Sequence, residues 1–374
     1  MPPIDPRDRS PRPPLPTADL QAIVDRVGPL WSHVQGKTIL VTGATGFFGS
    51  WLLESFARAN RDRKLNATVL ALSRNPDAFR RRVPFLADDR AIQFVQGDIA
   101  DFAFPDRPID LIIHAAVEST NQPTPDYARH MLDSVLLGTR RILELASQQK
   151  VAPRILLTSS GAVYGRQPPS LSHIPEDFTG SPDPLDPNSA YGLAKRTAEN
   201  WCIVYQQRYG IVPLIARCFA FAGPLLPFDG TYAIGNFIRD AMSGGPIKLS
   251  GDGSPMRSFL YSQDLAVWLW TVLLKGQPSR AYNVGSESAI SILDLARLVA
   301  KIALPRSNPN DIITMGNPPR TLAELIAANQ LPPPNPSPAR YVPSTRRAQE
   351  ELNLGCTVEP PDAIQRTIDW ARQG

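Results

Sequence analysis

A short β-branched run, Thr38 to Thr42, leads straight into Gly43-Ala44-Thr45-Gly46-Phe47-Phe48-Gly49 and then into a helical pattern from Phe48 to Asn60. Few arrangements constrain a fold as tightly. A glycine where the strand ends permits a tight turn, the next lets backbone approach a pyrophosphate, and the third lets the helix pack closely on the sheet. The helix N-terminus then presents free N–H groups to an anion. Glycine triplets also occur in ordinary turns, so the flanking pattern has to decide.

That pattern repeats. Ala67 to Ser73, Ile92 to Gly97, Ile109 to Ala115, Arg154 to Ser159 and Val212 to Phe219 are apolar strand-like runs, with helical segments at Tyr127 to Gln149 and Ser189 to Tyr209. Buried strands alternating with helices specify a parallel sheet covered on both faces. The expected fold is therefore α/β, a Rossmann-type doubly wound parallel sheet over residues 37–220. Helices at Gly235 to Ser243, Gln263 to Lys275, Ile292 to Ile302 and Pro361 to Arg372, with short strands at Pro246 to Leu249 and Ala281 to Val284, give residues 221–374 a different character. They are expected to form a smaller, discontinuous α/β lobe, with 260–285 returning to the first domain. Ahead of the sheet, Leu20, Ile23, Val24, Val27, Leu30, Trp31 and Val34 recur at helical spacing over 17–36, and Gly28-Pro29 should break or kink that helix.

Composition sharpens this in one respect. Of 39 prolines, residues 1–16 hold 7, residues 168–187 hold 6 and residues 305–361 hold 12, leaving an ordinary density elsewhere. The first cluster reads as a disordered, dispensable arm; the second, inside an active-site loop 166–188, as a stiffener; the third as rigid turns that shape or cover a pocket. A net charge of +4 with no run of five like charges gives no reason to expect a nucleic-acid partner. Three isolated cysteines, no apolar leader and no membrane-length apolar run suggest a cytoplasmic protein with buried thiols. The four scattered histidines offer no metal-binding spacing, so no metal is expected.

In doubly wound folds the residue ending the second strand selects the cofactor, an acid favouring the ribose 2′-hydroxyl and an arginine a 2′-phosphate. This chain places Ser73-Arg74 there, which leans toward NADP over NAD. With Gly43, Thr45, Gly46, Phe47, Phe48 and Gly49 at the loop, the cofactor set is completed by Asp98 and Ile99 after the third strand and Ala115 and Ala116 after the fourth. Tyr191 and Lys195, one turn apart, share a helix face. A free tyrosine is a poor base at neutral pH, with a pKa near ~10, and a neighbouring ammonium favours its phenolate. Ser160 ends the fifth strand at the sheet edge where α/β ligands bind. The three can converge on a carbinol or carbonyl.

These residues, with Gly97-Asp98, His114-Ala115-Ala116, Ser159-Ser160-Gly161-Ala162-Val163-Tyr164-Gly165, Gly223-Pro224, Gly251-Asp252-Gly253, Arg257 and Tyr282-Asn283-Val284-Gly285, carry a resemblance. The chain resembles the extended short-chain dehydrogenase/reductases, specifically the NAD(P)-dependent epimerase/dehydratase family that acts on nucleotide sugars. The match runs over about residues 37 to 300 and more weakly through Arg340 to Leu354. The resemblance implies that Tyr191 is the general acid or base, that Lys195 positions the nicotinamide ribose and lowers the tyrosine pKa, and that Ser160 hydrogen-bonds the reacting oxygen. It places Glu118, Ser160, Gly161, Asn236 and Arg257 on the substrate, and a homodimer is common in the family.

Departures narrow the reaction. The family's 4,6-dehydratases carry an Asp-Glu pair after the catalytic hydroxyl, and its UDP-glucuronate decarboxylases keep a glutamate there, whereas this chain has Gly161 and Ala162. Those activities would need a substitute acid, such as Glu118 or Glu176. Ala220 and Val135 replace two family asparagines, which bears on substrate-phosphate contacts and the proton relay. A 4-ketoreductase or 4-epimerase acting on a nucleotide sugar is therefore the first expectation. A decarboxylase or dehydratase, and a cofactor-binding scaffold without catalysis, are the alternatives.

Overall fold

The structure, a computed structural model, describes residues 11–117, 127–228, 232–316 and 339–373. Seven parallel strands form the main sheet: β1 (Thr38–Thr42), β2 (Thr68–Ser73), β3 (Ile92–Gln96), β4 (Leu111–His114), β5 (Arg154–Ser160), β6 (Val212–Cys218) and the edge strand Ala281–Val284. Their spatial order is edge strand, β6, β5, β4, β1, β2, β3. The winding reverses between β1 and β4, so the crevice for a ligand opens at the C-terminal ends of those two strands. This is the doubly wound fold expected from the strand runs.

Helices α1 (Thr17–Val27), α2 (Phe47–Asp62), α3 (Pro76–Arg82), α4 (Pro84–Ala87), α5 (Tyr127–Ser147), α6 (Ala190–Tyr209), α7 (Ala233–Met242), α8 (Ser262–Lys275), α9 (Ile292–Ala303), α10 (Arg346–Leu352) and α11 (Pro360–Ala371) complete the molecule. As the glycine-proline step requires, α1 stops at Val27 and a 3-10 turn takes over at Gly28. One sheet face is covered by α5 and α6, which bury Met131, Val135, Leu143, Ala194 and Cys202. The other is covered by α1, α2 and α8, with Trp31, Trp51, Trp268 and Trp270 in one core. Every residue of α8 except Lys275 is buried, which explains why its sequence from Leu265 to Leu274 is apolar on every face but for Thr271. Each such large side chain contributes roughly 1.5–3 kcal/mol by leaving water. A separate core, including Phe237, Ile238, Leu295, Val299 and Ile364, holds α7, α9 and α11 together as the smaller lobe.

The N-terminal arm departs from expectation. Residues 1–10 lie outside the described residues, but Arg12 is buried and its Nη2 meets Glu54 Oε1 at 2.7 Å, while the Leu15 N–H donates to Glu54 Oε2 at 2.8 Å. A buried arginine needs a buried anion, and helix α2 supplies it. Residues 12–16 are therefore part of the fold, and the sequence reading of a disordered arm over 1–16 is wrong for them. Helix α1 is likewise clamped: Asp19 accepts from Tyr261 Oη at 2.6 Å and from Arg366 Nη1 at 2.9 Å. Among the described residues no helix is long and apolar enough to cross a membrane. Cys202 and Cys218 are buried, whereas Cys356, expected to be buried too, is exposed because it follows the loop step at Gly355.

Candidate active site

At the switch point the glycines fill three different needs. Gly43 has a φ of +66°, and a Cβ there would stand 2.5 Å from the Ala115 carbonyl oxygen on β4's exit; a Cβ on Gly49 would strike Gly43 O at 2.3 Å. No side chain fits at either place. Gly46 caps α2 with no side-chain acceptor, so the first-turn N–H groups face outward into a cleft lined by Gly43, Thr45, Gly46, Phe47 and Phe48. Gly49 does not line it, since its part is the close packing of α2 on the strand.

Behind that floor a chain of hydrogen bonds fixes β1 to β4. The Ala116 N–H donates to Thr42 Oγ1 at 3.2 Å, and Thr42 Oγ1 lies 2.8 Å from His114 Nδ1. On the far side His114 Nε2 lies 3.2 Å from Thr139 Oγ1, whose hydroxyl donates to the Val135 carbonyl at 2.6 Å. With Thr42 donating onward, every proton is accounted for when the imidazole is neutral and carries its proton on Nε2. Burial, then the Lys195 charge, lowers the His114 pKa to about 3. His114 is thus a structural residue behind the cleft rather than a group in it.

The cleft encloses about 1160 Å³, more than one small ligand needs. At one end lie Ser73, Arg74, Asp98 and Ile99, and a recess shared with Thr45, Ser73 and Arg74 adds Arg81 and Arg82. Arg82 Nη2 donates to the Thr45 carbonyl at 2.7 Å, tying the recess to the glycine loop. Sequence reading missed both arginines; the Asn75-Pro76 helix start was the available signal, and the Asn75 side chain indeed caps α3. Ala115 and Ala116 line the middle. A dinucleotide fits this set of donors: uncapped helix N–H groups, glycines where a side chain is excluded, and a basic far end.

At the other end Ser160, Tyr191 and Lys195 share the cleft, as their positions on β5 and α6 imply. Ser160 Oγ accepts from the Ala162 N–H at 3.1 Å, which leaves its own proton to donate. The ammonium of Lys195 donates to the Thr158 carbonyl at 2.8 Å. One turn further on, Glu199 accepts from Ser159 Oγ at 2.5 Å and Arg217 Nη2 at 2.7 Å, which anchors α6 to β5 and β6. Burial lowers the Lys195 pKa to about 8. The Tyr191 phenol is shifted upward by burial, then by Tyr341, against a hydrogen bond with Ser160. Burial sets that net direction.

Asn236 on α7, Arg257 and the turn Ser250–Gly253 line the substrate end with Tyr232 and Tyr341. Asn236 Oδ1 accepts from Arg239 Nη1 at 3.2 Å. Glu118 lies outside the described residues. Gly161 is not in the cleft wall: a Cβ there would lie 2.7 Å from Phe219 ring carbons and from Tyr341 Oη, so the position packs against those rings instead of facing substrate. Glu176 is no substitute acid. It accepts from the Asn283 N–H at 2.9 Å and faces Arg347, away from the cleft. The loop 166–188 also stays behind the wall, Pro182 standing over Gly192 at the start of α6. His130 does line the cleft, although its isolated position gave no sign of it. Among the described residues no group of three His, Cys, Asp or Glu side chains could hold a metal ion.

The chain is similar to known proteins in both sequence and fold. The family model described as NAD dependent epimerase/dehydratase family matches residues 39–285. UDP-glucuronic acid decarboxylase 1 of Danio rerio is 26% identical over 342 residues, covering 91% of this chain and 73% of its own. A dTDP-glucose 4,6-dehydratase of Neisseria gonorrhoeae is 27% identical, covering 71% of this chain and 78% of its own. Among solved structures, UDP-glucuronic acid 4-epimerase from Bacillus cereus, in complex with UDP-glucuronic acid and NAD, superposes with a TM-score of 0.72 at 23% identity, covering 90% of this chain and 99% of its own.

Proposed function

The chain belongs to the NAD dependent epimerase/dehydratase family, and from that premise we propose a nucleotide-sugar oxidoreductase working at the sugar C4, in the first place a 4-ketoreductase using NADP(H), with 4-epimerase as the near variant. The observation that carries the reading is the shared cleft, which Ser160, Tyr191 and Lys195 line together with the glycine loop and Arg257. A bound nicotinamide supplies hydride. Tyr191, held protonated by burial, donates its phenolic proton to the C4 oxygen as the carbonyl is reduced. Ser160 donates a hydrogen bond to that oxygen, and Arg257, whose fork suits a phosphate, holds the diphosphate. Lys195, which lines the same cleft, would orient the ribose.

A reductase draws on NADPH, and Arg74 and Arg81 around a recess without an acidic lining residue favour a 2′-phosphate. The decarboxylases among the relatives keep a second reading alive, but Gly161 and Ala162 offer no acid, and the space beside Gly161 is filled. A scaffold without catalysis is disfavoured by the intact Ser160, Tyr191 and Lys195. We also propose a homodimer. Helices α5 and α6 pack side by side and leave Leu137, Val204 and Tyr209 exposed, and light scattering at micromolar concentration should give twice the chain mass.

The test is turnover of UDP- and dTDP-linked 4-keto sugars and hexoses, followed by the absorbance of reduced nicotinamide. Consumption of NADPH with a 4-keto sugar supports the reductase. Release of carbon dioxide from UDP-glucuronate would overturn it in favour of decarboxylation, and tight cofactor binding with no turnover would favour the scaffold.

A further inference from the structure

The geometry points to Tyr341 as a substrate-contacting residue, its phenol joining Ser160 to form a two-donor seat for one sugar oxygen. This rests on the nucleotide-sugar reading above. Tyr341 sits in the two-residue strand Arg340–Tyr341, which pairs in parallel with Met256–Arg257, so that Tyr341 and Arg257 are register partners. The residue therefore lies between the reacting end of the cleft and the arginine assigned to the diphosphate, where the sugar has to pass.

Its hydroxyl is aimed at the site and lightly held. Tyr341 Oη stands 3.5 Å from Ser160 Oγ, longer than the ~2.5–3.0 Å of a firm hydroxyl pair. Two hydroxyls at that separation can both reach a third oxygen placed between them at about 2.7 Å, the geometry of paired donors on a developing oxyanion. Ser160 already accepts from the Ala162 N–H and so has its proton to give. Burial pushes the Tyr341 pKa up to about 12, which keeps this phenol a donor throughout the neutral range.

The ring is fixed by its neighbours. Phe219 packs on it with centroids 4.7 Å apart, and the Arg257 guanidinium approaches its face at 6.0 Å. Gly161 then acquires a reason. A side chain there would collide with Tyr341 Oη, at 2.7 Å from the first added carbon. The phenol thus occupies the space beside Ser160 into which a side chain at 161 would grow, and exchanges a carboxylate's proton-shuttling chemistry for hydrogen-bond donation to a sugar oxygen.

Tyr341→Phe removes the hydroxyl and keeps the packed ring. Isothermal titration with UDP, with UDP-glucose and with NADPH, alongside steady-state kinetics on whichever nucleotide sugar the wild type turns over, gives the decisive split. The expected result is unchanged binding of UDP and NADPH, unchanged melting temperature, and a loss of about tenfold or more in sugar-nucleotide binding or kcat/KM. Gly161→Ala, which presses on both the phenol and the Phe219 ring, should lower the melting temperature and weaken sugar-nucleotide binding while leaving NADPH binding unchanged. Equal affinity of the two proteins for UDP-glucose together with unchanged kcat/KM overturns the assignment, as does a loss shared equally by UDP and UDP-glucose. Failure of the wild type to bind or turn over any nucleotide sugar sinks the functional reading, and this inference with it; retained wild-type turnover with an unaffected variant sinks this inference alone.

Discussion

The ammonium of Lys195 lies 6.0 Å from the centre of the Tyr191 ring and donates one of its N–H bonds to the Thr158 carbonyl. The pair one turn apart on α6 is thus a protonated acid beside a lysine whose pKa sits near 8, each state set first by burial. If the ammonium form is the working one, activity falls as pH rises through about 8, well below the ordinary lysine range. The pH profile of kcat/KM with a 4-keto sugar should show that alkaline limb; a limb displaced to pH 10 or above would contradict it.

Tyr191→Phe removes the proton donor and leaves the ring. Turnover should fall by roughly 10²- to 10⁴-fold while the dissociation constant of the nicotinamide cofactor changes little. Retention of more than a tenth of the wild-type rate would move the proton donor elsewhere in the cleft.

Arg257→Ala should raise KM with a smaller change in kcat, because a diphosphate contact is present in both ground and transition states. On the proposed NADP(H) reading, Arg81→Ala should weaken NADPH by about tenfold or more and leave NADH nearly untouched, because the recess would receive the 2′-phosphate alone. Fluorescence titration of each reduced cofactor measures the second effect directly, and equal losses for both would remove the argument for NADP(H).

Arg12→Ala leaves Glu54 buried and uncompensated, and the stability lost should be about 3–5 kcal/mol, read from urea unfolding. Truncation through residue 16 should destabilise at least as much, since Leu15 is buried too. A truncated protein as stable as the full chain would mean that Arg12 and Glu54 do not hold together in solution.

Below neutral pH His114 contributes an opposing cost. Its folded pKa is depressed to about 3 from 6.5, so between those values the unfolded chain binds a proton that the folded one excludes. Stability therefore falls as pH drops through 6.5 toward 3, by up to about 1.4 kcal/mol per pH unit from this group. Unfolding at pH 7, 5.5 and 4.5 should show the decline, and His114→Gln should flatten part of it.

The parts of this molecule legible in its sequence are those with a local cause. Strand runs ending in Gly43 or Ser160, and the α6 face carrying Tyr191 and Lys195, announce themselves through period and motif because each depends on residues within a few positions. Arg12 does not, since its partner is 42 positions away and a proline-rich stretch carries the same composition whether packed or free. Tyr341 stayed hidden for a similar reason: its strand is two residues long, and its meaning depends on Met256–Arg257 and on the absence of a side chain at Gly161. The upward shift of Tyr191 was not legible either, because a helical face tells which groups are neighbours, but the depth of burial is a tertiary property.

One consequence of the clamp on helix α1 concerns time. Asp19 takes a hydrogen bond from Arg366, 347 positions downstream, and the Pro14 carbonyl takes one from the Trp370 indole, 356 positions downstream. During synthesis the Asp19 carboxylate can meet Tyr261 first, but its second partner Arg366 and the indole that meets the Pro14 carbonyl arrive only with helix α11. The sheet can assemble as its strands emerge, but the clamp on helix α1 closes only after helix α11 has emerged.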